Sequence, residues 1–80
     1  MDKLEIQERV IKVTARVLKV DPSEVTLESD FAADLGAESI QSIELVAGFE
    51  EEFGIEMDED AALQVMTVGA AVEFIHNYVI

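Results

Sequence analysis

Apolar side chains recur at helical intervals over the first eighteen residues. Within residues 2–18 they lie at spacings near three, four and seven, at Leu4, Ile6, Val10, Ile11, Val13, Val17 and Leu18. This pattern predicts an amphipathic helix with one face toward a core and the basic residues on the other side. Asp21 and Pro22 follow, and because proline cannot continue a helix, we expect the first helix to end before them.

Two later segments repeat the helical pattern. Residues 39–53 place Leu45, Phe49 and Phe53 at intervals of four, so these side chains form the expected core face of a second helix. Residues after Thr67, a predicted N-cap, carry apolar side chains at spacings of four, three and four. Between them, the acidic stretch from residue 56 to about 65 predicts a short third helix.

The remaining residues, 20–38, form a long predicted loop. Val25, Leu27, Phe31 and Leu35 are its available anchors, and a loop of this length needs anchoring or serves a function. No alternating strand pattern, internal repeat or flexible linker interrupts the chain. We therefore expect a single domain over residues 1–80 with an all-α fold. The expected fold is a small four-helix bundle with three longer helices, a short third helix and a long loop between the first two.

Charge is distributed unevenly over the chain. The formal net charge is −13, and all five basic residues lie within the first nineteen positions, whereas residues 20–80 hold fifteen of the eighteen acidic residues. Such a field repels nucleic acid and anionic lipid and attracts proteins with basic docking patches. A second interpretation is that the acidic residues only keep a small domain soluble.

Composition excludes several classes of site. The chain has no cysteine, which removes a disulfide framework, a thiolate metal site and a cysteine nucleophile. Charges interrupt the N-terminal residues every few positions, unlike a signal peptide, and no apolar stretch reaches transmembrane length. We expect no membrane insertion and a cytoplasmic location.

Neither a hydrolytic site nor a metal site is expected. His76 is the only histidine, and it lies among apolar residues far in sequence from any candidate nucleophile, which favours a packed or surface role. The acidic run at 56–60 suggests calcium, but counting from Asp58, Leu63 and Gly69 occupy the positions where an EF-hand needs glycine and glutamate. Only loose cation binding near the acidic clusters remains.

Ser39 is the strongest candidate for a functional atom. It lies where an acidic loop meets the start of the second helix, and a helix start attracts anions because its first N–H groups are unpaired. Its hydroxyl suits a phosphate-linked group, and the alternative is that Ser39 is only the helix N-cap.

The same helix carries a second apolar strip, offset from the core face. Its members are Ile40, Ile43 and Ala47, and the acidic residues on that side are Glu44, Glu50 and Glu51. The strip is either covered by the long loop or exposed as an apolar patch with a carboxylate rim, which is typical of a partner-binding surface.

Three runs of residues together resemble one protein family. They are Asp-Leu-Gly-Ala-Glu-Ser-Ile-Gln-Ser-Ile-Glu-Leu-Val at 34–46, Phe-Glu-Glu-Glu-Phe-Gly-Ile at 49–55 and Thr-Val-Gly-Ala-Ala-Val-Glu-Phe-Ile at 67–75. They resemble acyl carrier proteins over nearly the whole chain, most densely from Phe31 to Glu56. The resemblance implies a carrier and not an enzyme. It implies 4′-phosphopantetheine attached to Ser39 between Glu38 and Ile40, with acyl groups held as thioesters on the thiol of that arm and sheltered in the bundle interior.

The resemblance also implies partners. These are a phosphopantetheinyl transferase and the loading, condensing and acyl-transfer enzymes of fatty acid, polyketide or related synthesis, which would dock on the second apolar strip and its acidic residues. The family precedent is a monomer. A carrier of aminoacyl, peptidyl or D-alanyl groups, or an unmodified acidic interaction module, remains an alternative.

Four positions depart from the family pattern. Glu38 and Ile40 replace the usual Asp and Leu beside the serine, and Gln41 stands where many members have an acid. Ala47 is smaller than the Met often found at its position. These differences predict altered recognition by the transferase and a specialised set of partners.

Overall fold

The computed structural model describes residues 1–79, which form four α-helices and no named strand. The helices are α1 (Lys3–Leu18), α2 (Ser39–Phe53), α3 (Glu59–Leu63) and α4 (Val68–Val79). The prediction of an all-α bundle with a short third helix and a long loop after the first is confirmed. The bounds of α2 agree with the predicted ones, whereas α3 is shorter than the stretch from 56 to 65.

Local hydrogen bonds set both ends of α1. The carboxylate of Asp2 accepts a hydrogen bond from the Glu5 N–H at 2.8 Å, which satisfies one free donor of the first turn. At the other end Lys19 adopts a left-handed conformation with φ of 58°, and its N–H donates to the Ala15 carbonyl. The helix therefore ends before Asp21, as its sequence predicts.

The core lies where α1 packs against α2 and α4. Fully or nearly fully buried side chains come from all three helices, among them Ile6, Val10, Val13, Leu45, Phe49, Val68, Val72 and Ile75. Leu4 is an exception to the predicted stripe, since 63% of it is exposed. At about 100° per residue, it lies roughly 200° around the helix from Ile6 and so faces away from the core.

A glycine brings α1 and α2 close together. A Cβ atom at Gly48 would lie 3.0 Å from Cγ1 of Val13 and 3.5 Å from Cγ2 of Val17. Real Cβ atoms rarely approach so closely, so a side chain here would push the two helices apart or displace the valines. Gly48 thus fixes the packing distance of the helix that carries Ser39.

Basic residues of α1 contact the acidic body of the domain. Lys3 forms an ion pair with Glu73 of α4. Nη2 of Arg9 lies 3.1 Å from Oε2 of Glu5, and Nε of Arg9 lies 3.8 Å from Oε2 of Glu52. The Cζ atom of the same guanidinium is 5.9 Å from the ring centroid of Phe53. These groups are partly exposed, so each contact contributes modestly to stability.

The long loop is anchored partly by side chains and partly by a short helical turn. Val25 and Phe31 are buried, as expected of anchors, and Leu35 is partly buried. A 3₁₀ turn at Pro22–Glu24 begins at Asp21, whose carboxylate accepts hydrogen bonds from the N–H and the hydroxyl of Ser23. These hydrogen bonds lower the pKa of the Asp21 carboxyl.

Backbone pairing with the segment before α4 supplies the rest of the anchoring. The Phe31 N–H donates to the Met66 carbonyl at 2.9 Å, and the Val68 N–H donates to the Ser29 carbonyl at 3.0 Å. Leu27, predicted as a side-chain anchor, is 41% exposed and takes part through its carbonyl, which accepts from the Gly69 N–H at 2.8 Å. That contact is so close that a Cβ at Gly69 would lie 2.9 Å from the same oxygen.

Candidate functional site

Ser39 is the first residue of α2 and is exposed to solvent. The residue in the N-cap position is Glu38, with extended φ and ψ of −87° and 169°. The interpretation of Ser39 as the N-cap is therefore wrong, because the helix begins one residue earlier than that role requires. Within residues 1–79 no hydrogen bond engages the Ser39 hydroxyl.

A tight turn delivers the chain to Ser39. The carboxylate of Asp30 accepts hydrogen bonds from the N–H groups of residues 32 and 33 at 2.9 and 2.8 Å. The carboxylate of Asp34 accepts from the Asp30 N–H at 2.7 Å, and the Ala37 N–H donates to the Phe31 carbonyl at 2.8 Å. Because Phe31 is buried, these bonds tie the residues just before Ser39 to the core.

The electrostatics at Ser39 combine a helix start with acidic neighbours. The first N–H groups of α2 have no intrahelical acceptor, and the helix dipole places partial positive charge there. Glu38 and Asp34 are both exposed, so solvent screens their carboxylates. The positive end of α2 suits an anionic substituent on Ser39.

The described residues offer Ser39 no catalytic base. His76 lies in the last turn of α4, is partly buried, and makes no hydrogen bond to Ser39. An isolated serine hydroxyl is a weak nucleophile, so a reaction at Ser39 needs a base from outside the described residues. This arrangement fits a residue that is modified by a partner.

The second apolar strip of α2 is exposed near Ser39. Ile40 and Ile43 are 66% and 52% exposed, and Ala47 lies exposed one turn farther along. Glu44 and Glu51, also exposed, lie on the same side. The long loop does not cover the strip, which leaves an apolar surface with carboxylates beside it.

Glu50 differs from the other two acidic residues. It is partly buried, and its Oε2 accepts a hydrogen bond from the Met57 N–H at 2.9 Å. That bond holds the connection between α2 and α3 against the bundle. Its carboxylate is therefore engaged within the domain, at the margin of the exposed face.

An apolar cavity of about 50 Å³ opens between α2, α3 and α4. Its walls include Phe31, Leu45, Phe49 and Ile75, with the Phe31 and Phe49 rings 6.5 Å apart between centroids. A second depression, of about 140 Å³, lies toward Asp30, Ala32 and Met66. Both spaces are lined by Phe31, Ser42, Leu63 and Val65.

Ser42 and Leu63 are cavity residues that the sequence pattern did not identify. Ser42 follows Ser39 by about one helical turn, so the cavity wall begins close to the attachment candidate. Leu63 is the last residue of the acidic helix α3 and is 42% exposed. Because α3 has only five residues, its sequence pattern does not show which side of the helix is covered. The sequence signal for a role of Leu63 in an apolar wall was the spacing of Ala62, Leu63 and Val65.

The described part of the chain contains no group of three or more His, Cys, Asp or Glu side chains placed to hold a metal ion. None of the helices within residues 1–79 is both long enough and apolar enough to cross a bilayer.

Similarity to known proteins extends over most of the chain. The family model described as the phosphopantetheine attachment site matches residues 8–75. The acyl carrier protein of Caulobacter vibrioides (strain NA1000 / CB15N) is 51% identical over 71 residues, which cover 89% of this chain and 91% of the relative. That of Phenylobacterium zucineum (strain HLK1) is 49% identical over 73 residues, covering 91% and 92%.

Proposed function

The chain belongs to the acyl carrier protein family, whose members are carriers that bear 4′-phosphopantetheine, and we propose that Ser39 is the residue that takes this group. The proposal rests on one observation. Ser39 presents an exposed hydroxyl at the first position of α2, and none of the described residues hydrogen-bonds to it.

The other three serines have different environments. The Ser23 hydroxyl donates to Asp21 at 2.7 Å, and Ser29 is buried with its hydroxyl accepting from the Thr26 N–H at 3.0 Å. Ser42 is partly buried and lines the apolar cavity. Only Ser39 combines exposure, a free hydroxyl and the positive end of a helix.

The loading reaction then follows from the chemistry of coenzyme A. The Ser39 Oγ attacks the phosphorus that bears the pantetheine arm, and a new Oγ–P bond forms. The bond from that phosphorus to the bridging oxygen of the diphosphate breaks, adenosine 3′,5′-bisphosphate leaves, and a base on the transferase takes the hydroxyl proton. The phosphodiester that remains is an anion, which the start of α2 stabilises.

The attached group supplies a thiol on a flexible arm, which holds an acyl group as a thioester. The residues of this chain provide position, shelter and recognition. The cavity behind Ser42 is lined mainly by apolar side chains and lies about one turn from Ser39, so it suits the apolar part of a cargo.

We further propose that partner enzymes dock on the exposed face of α2. Ile40, Ile43 and Ala47 provide apolar contact area beside Ser39, and Glu44 and Glu51 attract basic patches on the transferase and on loading, condensing and acyl-transfer enzymes. The carboxylate of Glu50, the third acidic residue predicted for this surface, accepts a hydrogen bond from the Met57 N–H, so we propose that Glu50 acts by holding the segment after α2 in place at the margin of the docking face. The pathway we propose is fatty acid, polyketide or related synthesis.

Intact-mass spectrometry tests the attachment site. After incubation with a phosphopantetheinyl transferase and coenzyme A, the wild-type chain should gain one phosphopantetheinyl group. Ser39→Ala should gain none, while the matched control Ser42→Ala, which alters a serine one turn away, should still be loaded. Circular dichroism verifies that both variants fold. Loading of Ser39→Ala would overturn the assignment, and an unmodified wild-type chain would favour the interaction-module alternative.

A further inference from the structure

Gln41 reaches back across the start of α2. Its Oε1 accepts a hydrogen bond from the backbone N–H of Glu38 at 2.9 Å. Glu38 is the N-cap and Gln41 lies three positions later, which is the spacing at which a Gln or Glu side chain closes the first turn of a helix. The side chain is partly buried, so it is held against the domain.

The sequence permits a competing start for this helix, one residue later. Serine is among the preferred N-cap residues, and glutamate is not. If Ser39 took the cap position, its hydroxyl would accept a hydrogen bond from the N–H of Gln41 or Ser42. The hydroxyl would then be turned toward the helix axis and engaged, which would hinder its attack on phosphorus.

The bond from Glu38 to Gln41 favours the observed start over the competing one. It satisfies the Glu38 N–H while Glu38 holds its extended cap conformation, with φ of −87° and ψ of 169°. This pairing belongs to a helix whose cap residue lies three positions before Gln41, which is Glu38 and not Ser39. The preceding residue is fixed independently, because the Ala37 N–H donates to the carbonyl of the buried Phe31. Together these bonds leave Ser39 as the first helical residue.

We propose that Gln41 is a positioning residue for modification of Ser39. By capping the Glu38 N–H it sets the helix to begin at Ser39 and keeps the Ser39 hydroxyl free for the transferase. This inference rests on the proposed attachment at Ser39, and it assigns a role to a position at which the chain departs from the acidic residue common in its family.

The test compares Gln41→Leu, which removes the acceptor, with Gln41→Glu, which keeps an acceptor at the same reach. The measured quantities are kcat and KM for loading by a phosphopantetheinyl transferase with coenzyme A, and the hydrogen-exchange rate of the Glu38 amide by NMR. All assays are made at high ionic strength, so that screening reduces the effect of the charge that Glu adds.

We expect Gln41→Leu to lower kcat about three- to tenfold, the range that one lost hydrogen bond supports. KM should stay within about twofold, since the docking face is intact. The Glu38 amide should exchange faster in this variant. In the separate variant Gln41→Glu, both kcat and the protection of the Glu38 amide should stay close to those of the wild-type chain. A purely structural role would lower the melting temperature without this change in kcat.

Three outcomes would overturn the inference. One is unchanged kcat in Gln41→Leu although the Glu38 amide has lost protection. Another is a kcat of Gln41→Glu that is as low as that of Gln41→Leu. The third is loss of the fold in both Gln41→Leu and the smaller variant Gln41→Ala, which would make Gln41 a structural residue. Failure of the wild-type chain to load would instead refute attachment at Ser39, so the two proposals fail separately.

Discussion

Thr14 is the best position at which to test how the core of this domain is stabilised. It lies on α1 with no exposed surface, and its Oγ1 has no hydrogen-bond partner among residues 1–79. A buried hydroxyl without a partner costs about 1–3 kcal/mol of stability, because it loses its hydrogen bonds to water. Thr14→Val replaces the hydroxyl with a methyl group of similar size and should recover that free energy.

The gain should be large for a domain of 80 residues. At about 0.05–0.15 kcal/mol per residue, its free energy of unfolding is about 4–12 kcal/mol. A gain of about 1 kcal/mol would raise the melting temperature by about 4–8 °C. Valine and threonine have similar helix propensities, so the change in α1 itself should be small.

Urea unfolding followed by circular dichroism measures the change in free energy, and Thr14→Ser is the matched control. Serine keeps the hydroxyl and loses one buried methyl, so it should lower stability by about 1 kcal/mol. Loading at Ser39 should be unchanged in both variants. A less stable Thr14→Val protein would refute the reasoning, since it would show that the hydroxyl makes a favourable hydrogen bond, for example to a carbonyl of the preceding turn.

Three further predictions concern the exposed face of α2 and the net charge. Glu44→Lys or Glu51→Lys should slow loading strongly at low salt and weakly at high salt, because salt screens the attraction that each substitution removes; salt-independent rates would argue against steering. Ile43→Ala should slow transfer at every salt concentration and change stability by no more than about 0.5 kcal/mol, whereas Phe49→Ala in the core should cost about 3–5 kcal/mol by thermal melting. If Ile43→Ala melts the domain in the same way, Ile43 belongs to the core. The melting temperature should rise with magnesium or calcium and more weakly with sodium chloride, since fifteen acidic residues in residues 20–80 repel one another; insensitivity to both salts would show that these charges are already compensated.

The division of α2 into two apolar strips was predictable from the sequence. Leu45 and Phe49 are buried, as predicted for the core strip, whereas the sequence left open whether the long loop covers Ile43, which the structure shows to be exposed. The helical period alone decides which residues share a face. The place of Ser39 at the start of α2 was likewise visible in the change from loop composition to a periodic pattern.

The helix cap was not predictable, because two adjacent residues compete for it. Serine has the better intrinsic preference, yet Glu38 holds the position, with its N–H bound to Gln41 and the turn before it tied to Phe31. The outcome depends on a side-chain contact and a long-range backbone bond. The N-cap preference of a single residue gives no information about the Glu38–Gln41 contact or about the Ala37–Phe31 backbone bond.

The sequence by itself determined the helices, their buried faces and the segment that identifies the family, because these follow from local spacing and residue type. Only the tertiary structure decided the rest. It bound Glu50 to the Met57 N–H, held Leu27 by its carbonyl instead of its side chain, and placed Ser42 on the wall of an apolar cavity. Each of these features depends on segments that meet only after folding, and the spacing along one helix carries no information about its neighbours.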